Sequence, residues 1–196
     1  MSQILNPNSL DAYDYELPPE LIANFPTFPK EDARLLVYER ASEKISHLKF
    51  GDLPEILPPC DIIFNDTKVV KARIFGKKQS GGETELLLNS PLADGKFSVY
   101  IKGKVRAGSV LNFGENLTAE VCELFGDGSR TVKFSQNGQF LDTAALYKIL
   151  SHIGHVPLPP YIKRSDTKDD ESWYQSVFAK NEGAVAAPTA SLHFSD

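Results

Sequence analysis

Between Arg73 and Phe134 the turn-forming residues recur about every ten positions. They are Gly81-Gly82, Asp94-Gly95, Gly103, Gly114 and Gly126-Asp127-Gly128, with Asn137-Gly138 just beyond. The stretches between them include FSVYI (97–101), VLNF (110–113), LTAEVCEL (117–124) and TVKF (131–134), short and rich in β-branched and aromatic residues. Turns this close together leave no room for a helix of several turns. A chain punctuated in this way closes into a small barrel or sandwich.

The flanks have a different texture. Residues up to about Asn8 read as a loose arm, and Tyr13, Tyr15 and Leu17 alternate with polar residues as a strand. Pro18-Pro19-Glu20 opens a short helix carrying Leu21, Ile22 and Ala23, followed by a Pro-flanked loop from Phe25 to Lys30. RLLVYE (34–39) and KISHLKF (44–50) form a hairpin, and Gly51-Asp52 caps a helix that Pro58-Pro59 stops. The apolar run Ile62-Ile63-Phe64 reads as a buried strand whose tip, Asn65-Asp66-Thr67, presents a site. Val69, Ala72 and Ile74 then alternate with cations toward the Gly81-Gly82 turn and its partner strand, Glu83 to Leu88.

After Gly138 the period becomes helical. Leu146, Ile149, Leu150 and Ile153 share one face, with Asp142 as cap and Gly154 as terminator. HIGHVPLPPYIKR (152–164) is an extended Pro-rich loop. A charged linker, Ser165 to Asp170, leads to a helix containing Trp173, Tyr174 and Val177. In GAVAAPTASLHF (183–194) the small residues permit close approach, and Pro188-Thr189 starts a helix aiming N–H groups and His193 at a cleft. The fold class is therefore a mixed α/β domain, residues 1–70 and 138–196, interrupted by a small inserted antiparallel β-barrel, residues 71–137.

Several classes of chemistry find no support. No apolar run is long enough for a membrane span, and the first residues lack a secretory pattern, which makes the cytoplasm the expected location. Cys60 and Cys122 stand far apart, and His152 and His155 have no third ligand, so no metal site is expected. A Gly-x-Gly-x-x-Gly after a strand is also lacking. The net charge is −5, yet Lys68, Lys71, Arg73, Lys77 and Lys78 are close together, and Lys102, Lys104 and Arg106 form a second group. Such clusters suit RNA phosphates, or equally the solvated edges of strands.

FNDTKVVKARIFG with its following Gly81-Gly82, HIGHVPLPPYIKR and GAVAAPTASLHF, together with DYELPPELIA and RLL near the start, occur in the order found in one family. The chain resembles the S-adenosylmethionine:tRNA ribosyltransferase-isomerases of queuosine biosynthesis. That resemblance implies an α/β domain interrupted by a β-barrel. The implied activity is transfer and isomerisation of the ribosyl part of S-adenosylmethionine, the co-substrate, onto 7-aminomethyl-7-deazaguanine in tRNA. Epoxyqueuosine is the product, and adenine and methionine leave. No metal is implied, and a monomer is the expected state.

The match covers the N-terminal part of the family, and the chain is expected to be truncated and inactive alone. Mapped onto the shared motifs, His193, His155 and Asp66 are the acid–base candidates, His193 foremost and Asp66 the poorest, because family members can carry an amide at that position. Asn65, Asp66, Thr67, Arg73, Gly81, Gly82, Tyr161, Arg164, Pro188 and Thr189 are candidates for substrate binding. Lys68, Lys71, Lys77, Lys78, Lys102 and Lys104 are candidates for RNA. Lys68, Lys71 and Ser191 stand where the family usually has Arg, Pro and Gly. Two other readings stay open: a non-catalytic RNA-binding barrel, and an inert structural fragment.

Overall fold

The computed structural model describes residues 6–195. The expected arm falls largely outside them, although Asn6 to Ser9 already turn, with the Ser9 N–H donating to the Asn6 carbonyl at 2.9 Å. No strand forms at Tyr13 to Leu17. A 3-10 turn, Leu10–Tyr13, takes its place, and all three apolar side chains are exposed. The helix expected after Pro18 is likewise a single 3-10 turn, Pro19–Leu21. Alternation alone could not make a strand where the described residues provide no hydrogen-bonding neighbour.

Strands β1 (Arg34–Glu39) and β2 (Lys44–Lys49) form the expected hairpin, in register from Arg34 opposite Lys49 to Glu39 opposite Lys44. Asp52 caps in an unexpected way: its carboxylate accepts from the Lys49 N–H at 2.9 Å, ahead of the short α1 (Leu53–Ile56). The Ile62–Phe64 run is no buried strand. Ile63 is 96% exposed, and the strand proper, β3, is Thr67–Val69. A strand apolar on both faces needs neighbours on both sides. The flanks accordingly hold two separate two-stranded sheets.

The barrel forms as its turns require. Strands β4 (Arg73–Lys78), β5 (Glu83–Pro91), β6 (Phe97–Lys102), β7 (Val110–Asn112), β8 (Leu117–Leu124) and β9 (Ser129–Gln136) run antiparallel in the spatial order β9-β6-β5-β4-β7-β8. Pairing of β8 with β9 closes the ring. Irregularities between Leu88 and Ser90 and between Val121 and Glu123 supply the bends that closure needs. Inward positions alternate along each strand, as with Leu86 and Leu88, and Phe97 meets Phe134 edge-on at 5.4 Å. Each such buried large side chain contributes about 1.5–3 kcal/mol.

After the short β10 (Gln139–Phe140), helix α2 (Thr143–Ile153) follows its pattern. The Asp142 carboxylate accepts from the Ala145 N–H at 2.8 Å, and Leu146, Ile149 and Leu150 join the barrel's core. Gly154 is required there, because a Cβ would collide with the carbonyl oxygens of Lys71 and Leu150. The chain then bridges back onto the barrel: the His155 N–H donates to the Arg73 carbonyl at 2.8 Å, and the return bond is 3.3 Å.

Three further expectations are corrected. The "linker" is a built turn around Asp170, and α3 (Asp170–Trp173) stops before Val177. Strand β11 (Asn181–Ala184) pairs in parallel with β3, Asn181 opposite Thr67 and Ala184 opposite Val69. Finally, Pro188 leads into a 3-10 turn, Thr189–His193, in place of an α-helix.

Candidate active site

The β3–β11 pairing draws two distant motifs together. The Asp66 carbonyl accepts from the N–H groups of Lys180 and Asn181, at 2.7 and 3.1 Å. The Asn181 side-chain amide donates to the Asp66 carboxylate at 2.8 Å, and Asn65 Oδ1 accepts from the Thr67 N–H at 2.8 Å. The Asn65-Asp66-Thr67 triplet is thus a turn locked onto β11. Just before it, Phe64 stacks on Phe178 with centroids 4.0 Å apart and meets Phe194 edge-on at 5.0 Å. Phe194 and His193 both lie against Phe50, at 4.9 and 5.3 Å.

The Thr189–His193 turn separates two clefts. One, of about 690 Å³, is apolar and lined by Phe50, Leu53, Leu57, Cys60, Ile62 and Phe194. The other, of about 460 Å³, is walled by Phe25, Phe28, Arg34, Tyr161, Trp173 and Thr189. His193 belongs to both walls. Ser191 is buried in the same turn with a negative φ, and its hydroxyl donates to the Pro188 carbonyl at 2.8 Å. A serine therefore fits where left-handed backbone would have demanded glycine.

Arg164 shapes the second cleft from behind. Its guanidinium forms a bidentate pair with Asp170 at 2.6 and 2.7 Å, donates from Nε to the Asn24 carbonyl at 2.9 Å, and lies 4.5 Å from the Phe25 ring centroid. Asp170 is fully buried and also accepts from the Thr167 N–H at 2.6 Å. The Arg164 hydrogen bonds hold its carboxyl below the usual carboxylate range, against the opposing effect of burial. Trp173, on the next turn, meets Phe25 and Phe28 at 6.2 and 5.9 Å. Arg164 is thereby committed to holding the wall.

The remaining candidates lie apart. His155 lines neither cleft; its Nδ1 is 3.0 Å from the Asp166 carboxylate, and its ring meets Phe75 of the barrel at 5.0 Å. Arg73 pairs with Glu85 at 2.6 Å, and Gly81 and Gly82 form the β4–β5 turn. Lys68 pairs with Glu182 at 3.0 Å and Lys71 with Glu171 at 2.7 Å, whereas Lys78 and Lys104 line a cleft on the barrel. Lys102 is 82% exposed and 3.9 Å from Glu85, and Lys77 stands opposite Glu83 and Asn112. Among the described residues no three potential metal ligands converge, and no helix is long and apolar enough to cross a membrane.

Two contributors escaped the sequence reading. Asp170 carried a usable signal, since Thr167-x-x-Asp170 has capping-box spacing. Gln175 carried none. Its amide bonds both the N–H and the carbonyl of Val69, at 3.0 and 2.7 Å, and so completes the edge of β3 as a strand would.

A mixed α/β protein with a closed barrel spliced into it, and paired clefts outside the barrel, is the class these features define. The chain belongs to the queuosine biosynthesis protein family, whose model matches residues 10–196. It is 65% identical over 188 residues to the S-adenosylmethionine:tRNA ribosyltransferase-isomerase of Campylobacter fetus, a match covering 96% of this chain and 56% of that protein. To the proteins of the same name from Campylobacter concisus and Sulfurimonas denitrificans it is 62% and 55% identical, over 96% and 93% of this chain and 56% and 54% of theirs. The chain thus spans about half the length of the curated relatives it matches. A crystal structure of the S-adenosylmethionine tRNA ribosyltransferase from Thermotoga maritima is 31% identical, with a TM-score of 0.34, over 77% of this chain and 52% of that one.

Proposed function

We propose that this chain carries part of the active site of an S-adenosylmethionine:tRNA ribosyltransferase-isomerase. In this reading it moves the ribosyl group of S-adenosylmethionine to 7-aminomethyl-7-deazaguanine in tRNA, in the cytoplasm, as a monomer and without a metal. The observation that carries it is the place of His193, in the common wall of two clefts. The reaction must bring a nucleoside and a nucleobase together beside one acid–base group. Aromatic rings flank His193 on both sides: Phe50 and Phe194 in one cleft, Tyr161 and Trp173 in the other. They offer flat apolar faces for adenine and deazaguanine.

The sulfonium acidifies the 5′ carbon of its ribose, and His193 takes that proton. The aminomethyl group of the base supplies the nucleophile, and adenine and methionine depart. Thr189 and Tyr161 supply hydroxyls in the second cleft. Asn65, Asp66, Thr67 and Pro188 act by fixing the turns behind it. His155, braced by Asp166, supports the junction with the barrel. Residues 71–137 form the inserted unit, with α2 packed on its core.

The apolar cleft stands open to solvent, and Ile62 and Ile63 lie exposed nearby. The 196 residues alone are therefore proposed not to turn over. The test uses a protein completed with the part of the Campylobacter fetus relative outside the matched span. There His193→Ala should lower adenine release about 10²–10⁴-fold with the KM for S-adenosylmethionine changed only a few-fold, and His155→Ala should cost far less. Full activity of the His193 variant would overturn the assignment.

A further inference from the structure

At one end of the barrel, the β4–β5 turn, the segment after β6 and the start of β7 enclose a cleft of about 420 Å³. Lys78, Ser80, Lys104, Arg106 and Ser109 line it, and no carboxylate does. In a chain of net charge −5, three cations around one acid-free cleft are not an average sample of the surface. Among the described residues, none of the three has a carboxylate within ion-pair distance.

The barrel holds the Lys78 ammonium directly and sets the backbone that carries Lys104 and Arg106. Lys78 ends β4 and reaches across Gly103, its Nζ donating to the Lys104 carbonyl at 2.9 Å. Gly103 has φ 97°, and a Cβ there would stand 3.0 Å from that ammonium. Ser109 Oγ accepts from the Arg106 N–H at 3.1 Å, and the Ser109 N–H donates to the Arg106 carbonyl at 3.0 Å, closing the turn that carries the guanidinium. Exposed Lys102, next to Gly103, lies along the same edge but stands 3.9 Å from Glu85, which sets it apart from the three. Lys68 and Lys71 differ, because both are neutralised within the molecule.

A tethered ammonium, with a second ammonium and a guanidinium close by, beside hydroxyls and with no acid, forms a donor set for phosphate oxygens. Val105 and Val110, the apolar lining residues, are half-buried, so nothing in the cleft offers a bilayer an anchor. We propose that this cleft grips the sugar–phosphate backbone of RNA, holding the tRNA on the barrel while its base reaches the paired clefts. The proposal rests on the reading of the substrate as a tRNA. Backbone contacts set position and not sequence, so the grip is indifferent to RNA sequence.

The test is a Lys104→Gln/Arg106→Gln double variant of the 196-residue chain. Neither side chain makes a hydrogen bond among the described residues, and circular dichroism melting verifies the fold. Binding of a fluorescent tRNA transcript is followed by anisotropy from low to physiological salt, without S-adenosylmethionine. Two lost phosphate contacts should lower the slope of log K against log salt by about 1.4–1.8. Binding of an unrelated RNA hairpin should fall in parallel, and Lys148→Gln, on the exposed face of α2, should change neither.

An unchanged slope overturns the proposal. So does equal competition by a polyglutamate peptide, which would mark a protein-docking surface. The enzymatic reading fails separately. Absence of adenine release from the completed wild-type protein would leave the cleft standing, and normal release alongside unchanged RNA binding in the variant would remove only the cleft.

Discussion

Replacing Asp170 by Asn probes the least exposed charge in the flanking region. Its carboxylate is fully buried, bonded twice to Arg164 and once to the Thr167 N–H, and Arg164 is itself 15% exposed. Asparagine keeps the shape but leaves a nearly buried guanidinium without its counter-charge. Breaking a buried pair from one side costs about 3–5 kcal/mol, a large part of the roughly 5–15 kcal/mol that holds a domain together. Trp173, the single tryptophan, sits in the same turn, so its fluorescence reports unfolding of this region. In urea, the Trp173 transition should move to lower denaturant by an amount worth about 3 kcal/mol or more. The barrel's far-ultraviolet transition should move less. An Arg164→Leu/Asp170→Leu double variant should recover part of the loss, because it leaves no unpaired charge. The pH dependence has a definite sign: with its pKa depressed on folding, Asp170 contributes fully above the ordinary range near about pH 4, and that contribution drains away as pH falls further toward its folded value. A shift below about 1 kcal/mol, the scale of an exposed pair, would refute the view of Asp170 as a buried anchor.

Gly154→Ala should destabilise by several kcal/mol in a thermal melt, since the new methyl group collides with two backbone carbonyls; a neutral result would mean that α2 can slide away from the barrel. Gln175→Ala strands the N–H and carbonyl of Val69, at about 1–3 kcal/mol each. Hydrogen exchange at Val69 should accelerate, and unchanged protection would count against the docked amide. Limited proteolysis should cut first at the exposed Asn137-Gly138 turn, and cleavage spread evenly through the barrel strands would contradict an independent inserted unit.

Legibility in the sequence followed the range of the interactions. The barrel's turns are local decisions, and Gly81, Gly95, Gly103, Gly128 and Gly138 take the positive φ for which glycine is suited. Helix α2 was equally plain, because its cap, period and terminator lie within thirteen residues, Asp142 to Gly154. The parallel pairing of β3 with β11 was hidden because its partners are 114 residues apart. Ile62-Ile63-Phe64 misled because apolar composition reports a tendency to be covered, and the cover itself is tertiary. Charge density misled in the opposite direction: the run from Ser165 to Asp170 looked like a solvated linker, yet it carries a fully buried carboxylate. At the candidate site, the His193 turn and Tyr161 could be named from their motifs. Their sharing of one cleft depends on Trp173 and on the Arg164–Asp170 anchor; the Thr167-x-x-Asp170 spacing signalled the cap, but no local pattern announced the pairing with Arg164.

Adenine release from S-adenosylmethionine tests the central claim most directly. The 196-residue chain, and the same chain completed with the remaining part of the Campylobacter fetus relative, are each mixed with tRNA carrying 7-aminomethyl-7-deazaguanine. The completed protein should release adenine in step with ribosyl incorporation into the tRNA, and the 196 residues alone should stay at background. Absence of release from a folded, completed protein would contradict the assignment of this site to ribosyl transfer. Comparable turnover by both would instead show that the whole catalytic site lies within the residues described.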